Sequence, residues 1–89
     1  MVLFVFTKYA KKIFGKLPKI ERERILNKLA GLKKHPDIFS MLRKLVDFEP
    51  ATHRLRTGDY RLILELKKYD AKIVEFWVLD VGHRKDIYK

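Results

Sequence analysis

Arg54, Arg56 and Arg61 fall within eight residues of one another in the stretch HRLRTGDYRLILEL, and a second basic run, His83-Arg84-Lys85, is followed by Tyr88. Guanidinium groups gathered in this way suit a phosphodiester. When the 2′-hydroxyl of RNA attacks the adjacent phosphorus, the phosphorane that forms carries extra negative charge, and the 5′-oxygen then leaves. Arginines already in place around the phosphorus stabilise that charge. A base must take the 2′-proton and an acid must protonate the leaving oxygen. A tyrosine can stack on a nucleobase or join the proton transfer. Arg84 and Tyr88 are four apart, so one helical turn would bring them to the same side. The route requires no metal. Histidines scattered at 35, 53 and 83, with no acidic cluster, argue against a metal site.

Such a set needs a scaffold, and the hydrophobic periodicity supplies one. Val2 to Phe6 is β-branched and aromatic and predicts a strand. Thr7 suits a helix N-cap, after which Tyr9, Ala10, Ile13, Phe14 and Leu17 recur at helical spacing. Gly15 and Pro18 keep this helix short. A second stripe, Ile20, Ile25, Leu26, Leu29, Ala30 and Leu32, predicts a second helix ended by His35-Pro36-Asp37. In residues 38–49, Phe39, Met41, Leu42, Leu45 and Phe48 fit a helical turn leading into a strand, an assignment that the pattern leaves open. From His53 the period becomes two: a strand, a turn at 57–59, a strand from Tyr60, another turn, and a strand over 73–81 that is apolar on both faces and therefore interior. The order is β-α-α-β-β-β. It predicts an α+β domain, with two helices on one face of a mostly antiparallel four-stranded sheet, over residues 1–89.

Strand alternation then sorts the side chains. Tyr60, Leu62, Leu64 and Leu66 share one side, expected to face the helices. Arg61, Ile63 and Glu65 share the other, with Arg54 and Arg56 beside them. The arginines would line an uncovered front face. The competing arrangement, salt bridges from these arginines to Glu65 and Glu75, would stabilise the sheet little. The lysines and arginines of the two helices are expected to be solvated, and Tyr9, Phe14 and Trp77 to belong to the core.

Composition agrees with a polyanion partner. Lys and Arg number 21 against 11 Asp and Glu, a formal net charge of +10. With no cysteine there is no disulfide framework and no thiolate metal site. The apolar start MVLFVF is too short for a membrane span and is followed by a Lys-rich helical pattern, so neither a signal peptide nor a membrane role is expected, and the cytoplasm is the default.

The stretches HRLRTGDYRLILEL and VEFWVLDVGHRKDIYK, in that order, resemble the RelE/ParE superfamily of type II toxin–antitoxin toxins. The strand–helix–helix segment before them agrees in layout. The resemblance implies a RelE-like fold and a ribosome-dependent mRNA endonuclease that cuts the codon in the A site by the 2′-hydroxyl route, with no cofactor. It implies phosphate-stabilising roles for Arg61 and Arg84 and a catalytic or stacking role for Tyr88. Arg54 stands where the family often has a catalytic lysine, and Thr52 where some active members carry a second basic residue. An arginine keeps the charge but transfers protons poorly. His83 is therefore the candidate for proton transfer, and Arg56 and Lys85 complete the set as RNA contacts. The partners implied are a RelB-like antitoxin, the ribosome and mRNA. The ParE branch, directed at DNA gyrase without nuclease activity, and an inactive homologue that only binds its antitoxin are the alternatives.

Overall fold

The computed structural model of the chain describes residues 1–83. Strand β1 (Val2–Phe6) leads into helix α1 (Lys8–Gly15) and helix α2 (Lys19–Leu32). A short 3-10 helix (Ile38–Met41) and a two-residue strand β2 (Arg43–Lys44) follow, then β3 (His53–Thr57), β4 (Tyr60–Tyr69) and β5 (Val74–His83). The sheet order is β1-β5-β4-β3-β2. β1 runs parallel to β5, and every other pair is antiparallel. The α+β expectation holds, with one correction. The sheet has five strands, because the segment left open at 38–49 contributes β2. The helical turn leading into a strand that the spacing allows is present as the 3-10 helix and β2, but two residues cannot express a period, so the strand's place in the sheet is not legible.

Thr7 caps α1 as its hydroxyl predicts: Oγ1 accepts from the backbone N–H of Ala10 at 3.1 Å. The Thr7 backbone N–H donates to the Val78 carbonyl at 3.0 Å, which ties the start of the helix to β5. Ala10 is fully buried, and its small side chain lets α1 lie close to the sheet. In α2 the buried residues are Ile25, Leu29 and Leu32, spaced four and three apart on one face. They meet Leu55, Leu62, Leu64, Phe76, Val78 and Val81 from the sheet to form the core. The helical stripes are narrower than the sequence predicts. Tyr9, Ile20 and Leu26 are exposed, because each helix has only one side against the sheet. Trp77 is also corrected: it lies on the side of β5 opposite Phe76 and Val78 and keeps 36% of its surface accessible.

One end of the core is aromatic. Phe39, from the 3-10 helix, packs 5.6 Å from the His53 ring and 5.8 Å from Phe76, and Phe4 stacks on Phe76 at 5.8 Å. His53 itself meets Phe76 edge-on at 5.6 Å, and its Nδ1 lies 2.9 Å from the Thr52 hydroxyl. That hydroxyl also accepts from the Leu66 backbone N–H at 2.8 Å, so Thr52 serves the sheet.

Burial among these groups, and then the Lys44 ammonium, hold the His53 pKa below its ordinary 6.5. A histidine depressed in this way takes up a proton more readily in the unfolded chain. Its contribution is complete above about pH 6.5 and declines as the pH falls through that value toward the lower folded pKa. Thermal midpoints are expected to drop between pH 7 and pH 5, and His53→Gln should flatten that slope whatever its offset at neutral pH.

Candidate RNA-binding face

β3 and β4 form a hairpin closed by Gly58-Asp59, with Thr57 opposite Tyr60. Gly58 sits at φ +62, where a glycine at the first position of a two-residue hairpin turn avoids strain. This short turn fixes the register, and the register fixes the faces. His53, Leu55 and Thr57 pair with Leu64, Leu62 and Tyr60 on the helix side. Arg54 pairs with Ile63, and Arg56 with Arg61, on the other. β2 then adds Arg43 directly across from Arg54. The front face thus carries four arginines as two directly opposed pairs, Arg56–Arg61 and Arg43–Arg54. Arg43 escapes sequence reasoning. The only available signal is the basic pair Arg43-Lys44 itself, which nothing in the pattern assigns to a strand.

Like charges directly opposite each other weaken a sheet. Two carboxylates of the neighbouring strands, Glu65 and Glu75, are held by other groups. Glu65 pairs with Lys67 at 3.1 Å, and Glu75 accepts from the Trp77 indole N–H at 2.8 Å. Arg56 is exposed and folds toward the turn, its Nε donating to the Gly58 carbonyl at 3.4 Å. Arg61 differs. Its Nε and Nη1 are shielded from solvent and have no hydrogen-bond partner among the described residues. Shielded guanidinium donors are costly to leave unmet, so a small movement of the side chain that brought them to an anion on this face would be favoured. On the β5 side the residue opposite Arg61 is Gly82, which has no side chain of its own to cover it.

Arg56→Thr is expected to raise the stability of the free protein by roughly 0.2–1 kcal/mol, by removing one member of an opposed pair. Salt should raise the thermal midpoint of the unaltered chain more than that of the variant.

The sequence reading placed His83 with the arginines, and the structure does not. β5 carries a one-residue bulge: Ile63 pairs with Asp80, but Leu64 pairs with Val78, leaving Leu79 extra. Beyond the bulge the faces exchange. Gly82 comes to the front opposite Arg61, and His83 falls opposite Tyr60 on the leucine side, where the two rings meet edge-on at 5.5 Å. His83 there lines a pocket with Ile13, Leu17, Tyr60 and Asp80. The bulge has a trace in the sequence, since the inward residues Val78 and Val81 are three apart where a regular strand would space them by two. Arg84, Lys85 and Tyr88 lie outside the described residues. Among those described, no three His, Cys, Asp or Glu side chains gather as a metal site, and no helix is long and apolar enough to cross a membrane.

No protein-family model and no curated protein matches the chain. Solved structures do. The isolated RelE toxin of E. coli is 27% identical over 91% of this chain and 82% of its own, with a TM-score of 0.63. The RelB–RelE antitoxin–toxin complex of Methanococcus jannaschii contributes a match at 25% identity, 94% of each chain and a TM-score of 0.61. The toxin–antitoxin complex RelBE2 of Mycobacterium tuberculosis is matched at 26% identity, 92% of this chain and 96% of that one, with a TM-score of 0.62.

Proposed function

We propose that this chain, which has the RelE-like toxin fold, is the toxin of a type II toxin–antitoxin pair and a ribosome-dependent mRNA endonuclease. The observation that carries this reading is Arg61, with two shielded and unmet guanidinium nitrogens on a face of four arginines. The reaction is the transesterification of an RNA phosphodiester. The 2′-oxygen bonds to phosphorus, the bond from phosphorus to the 5′-oxygen breaks, and the products end in a 2′,3′-cyclic phosphate and a 5′-hydroxyl. Arg61 stabilises the pentavalent phosphorane, and Arg54 supplies a second charge beside it. Arg43 and Arg56 hold neighbouring phosphates. The proton transfers fall to the C-terminal run, with Arg84 at the phosphate and Tyr88 at a proton or a base. His83 is the weaker candidate for the base, since its ring lies across the sheet from Arg61.

The partner that restrains the toxin is an acidic or amphipathic antitoxin chain. A surface suited to it lies on the helices, where Phe14 and Leu26 floor a groove rimmed by Lys11, Lys19 and Arg22. The Arg22 Nε is shielded and has no partner among the described residues. A small turn of that side chain would bring the donor to a carboxylate of the antitoxin.

Primer extension on mRNA in a purified translation reaction tests the nuclease reading. Cuts should appear within the A-site codon, should require ribosomes, and should leave 5′-hydroxyl ends. A gyrase supercoiling assay run beside it should show no inhibition. Uncut mRNA together with blocked supercoiling would overturn the proposal in favour of a gyrase-directed toxin.

A further inference from the structure

The front face has a second half that the arginines do not explain. Trp77 stands on it between Val5 of β1 and Glu65 of β4, its register partners. Val5 is exposed to 41% and Trp77 to 36%, although both lie on neighbouring strands of the sheet. The indole is not loose. Its N–H donates to Glu75 Oε2 at 2.8 Å, and the Lys67 ammonium lies 4.5 Å from the ring centroid. Lys67 is in turn held by Glu65 at 3.1 Å. An exposed tryptophan fixed in one orientation has already lost the freedom that binding would otherwise cost it.

Trp77 lies level with Glu65, and Glu65 is four residues from Arg61 along β4. At strand spacing that is ~13 Å along the face. A single strand of RNA held by its phosphates at the arginines therefore reaches this ring with a neighbouring nucleotide. The two flanking carboxylates, Glu65 and Glu75, repel phosphate. What arrives at Trp77 is then a base, and aromatic rings on a sheet surface beside basic groups bind unpaired bases by stacking.

We infer that the Trp77 indole is a stacking platform for a nucleobase of the RNA whose phosphates the front-face arginines hold. The inference rests on the nuclease reading for the identity of its ligand. A stacked base takes the ring face that Lys67 leaves open, or displaces its flexible ammonium.

Trp77 is the chain's single tryptophan, so intrinsic fluorescence reports on this position alone. The probe is a short 2′-O-methyl RNA, which cannot be cleaved, titrated at low salt while the anisotropy of a labelled copy records binding. Emission should be quenched in step with binding. Trp77→Leu should weaken the RNA by roughly tenfold, while Trp77→Phe keeps most of the affinity. Thermal midpoints of both variants should stay close to that of the unaltered chain, since the side chain is at the surface. RNA that binds without quenching, RNA that binds Trp77→Leu as tightly as the unaltered chain, or RNA that does not bind at low salt would each overturn the inference. So would a Trp77→Leu variant that loses only antitoxin binding, which would make the strip a protein contact. Cleavage in the translation reaction is scored separately. An active nuclease whose tryptophan ignores RNA loses only the stacking platform, whereas an inactive one loses the reading on which it rests.

Discussion

Arg61→Ala is expected to reduce mRNA cleavage in a translation reaction by about a hundredfold or more, the usual effect of removing one preorganised donor from a developing oxyanion. The variant should fold. The Arg61 side chain lies on the front of β4, away from Leu62 and Leu64, and the change removes one of two directly opposed guanidinium groups. Its thermal midpoint should equal or exceed that of the unaltered chain, and its affinity for the antitoxin groove on the helices should persist. A loss of activity with a gain in stability separates a residue placed for an anion from one placed for the fold. Arg61→Lys refines the point. It restores charge but not the planar fork, and partial rescue is expected. Full cleavage by the alanine variant would remove Arg61 from the reaction.

The largest expected effect on stability belongs to Phe76→Ala. Phe76 is fully buried in the aromatic end of the core, stacked on Phe4 and in edge contact with Phe39 and His53. Truncation of a buried phenylalanine costs about 3–5 kcal/mol, a large share of the ~5–15 kcal/mol by which a domain of ordinary stability folds. The midpoint of urea unfolding should fall accordingly, and at physiological temperature much of the variant should be unfolded. Val5→Ala, on the opposite face of the neighbouring strand, serves as the control and should change stability by no more than about 0.5 kcal/mol. Equal losses from the two variants would contradict the division of the sheet into a buried and a solvent-facing side.

That division is what the sequence expresses best. The β3–β4 hairpin is legible because a two-residue turn with glycine at its first position leaves one register available, and period-two alternation then separates Leu62 and Leu64 from Arg61. The helices are legible in place but not in breadth. Tyr9, Ile20 and Leu26 satisfy helical spacing yet lie on flanks that nothing in the described residues covers. Trp77 misleads for a similar reason. A run of apolar residues in an interior strand predicts burial on both sides, while the helices occupy only one. β2 is only hinted at, because two residues have no period to fix its face or partner, and with it Arg43 is missed. His83 is misplaced because the apolar run ends at Val81 and groups the imidazole with the basic residues beyond, whereas β5 continues to His83 and gains a residue at Leu79. In each case the local pattern is sound, and the error comes from what packs against it.

The extra residue at Leu79 makes the C-terminal end of β5 a matter of phase. Up to Val78 the strand is locked by the core, and no shift is tolerated there. Past Leu79 the side chains are displayed half a period out of step, which brings Gly82 to Arg61 and sends His83 to Tyr60. Removing Leu79 would not alter these partners: Asp80 would follow Val78 and still lie opposite Ile63, with Gly82 at Arg61 and His83 at Tyr60. What the bulge decides is which residues turn inward: were Leu79 paired with Ile63 instead, Asp80 would fall opposite Leu62 on the core side, Val81 would turn outward, and His83 would take the arginine side. The last residues of this strand therefore have two alternative faces, and the choice between them lies in whether Leu79 is passed over or paired.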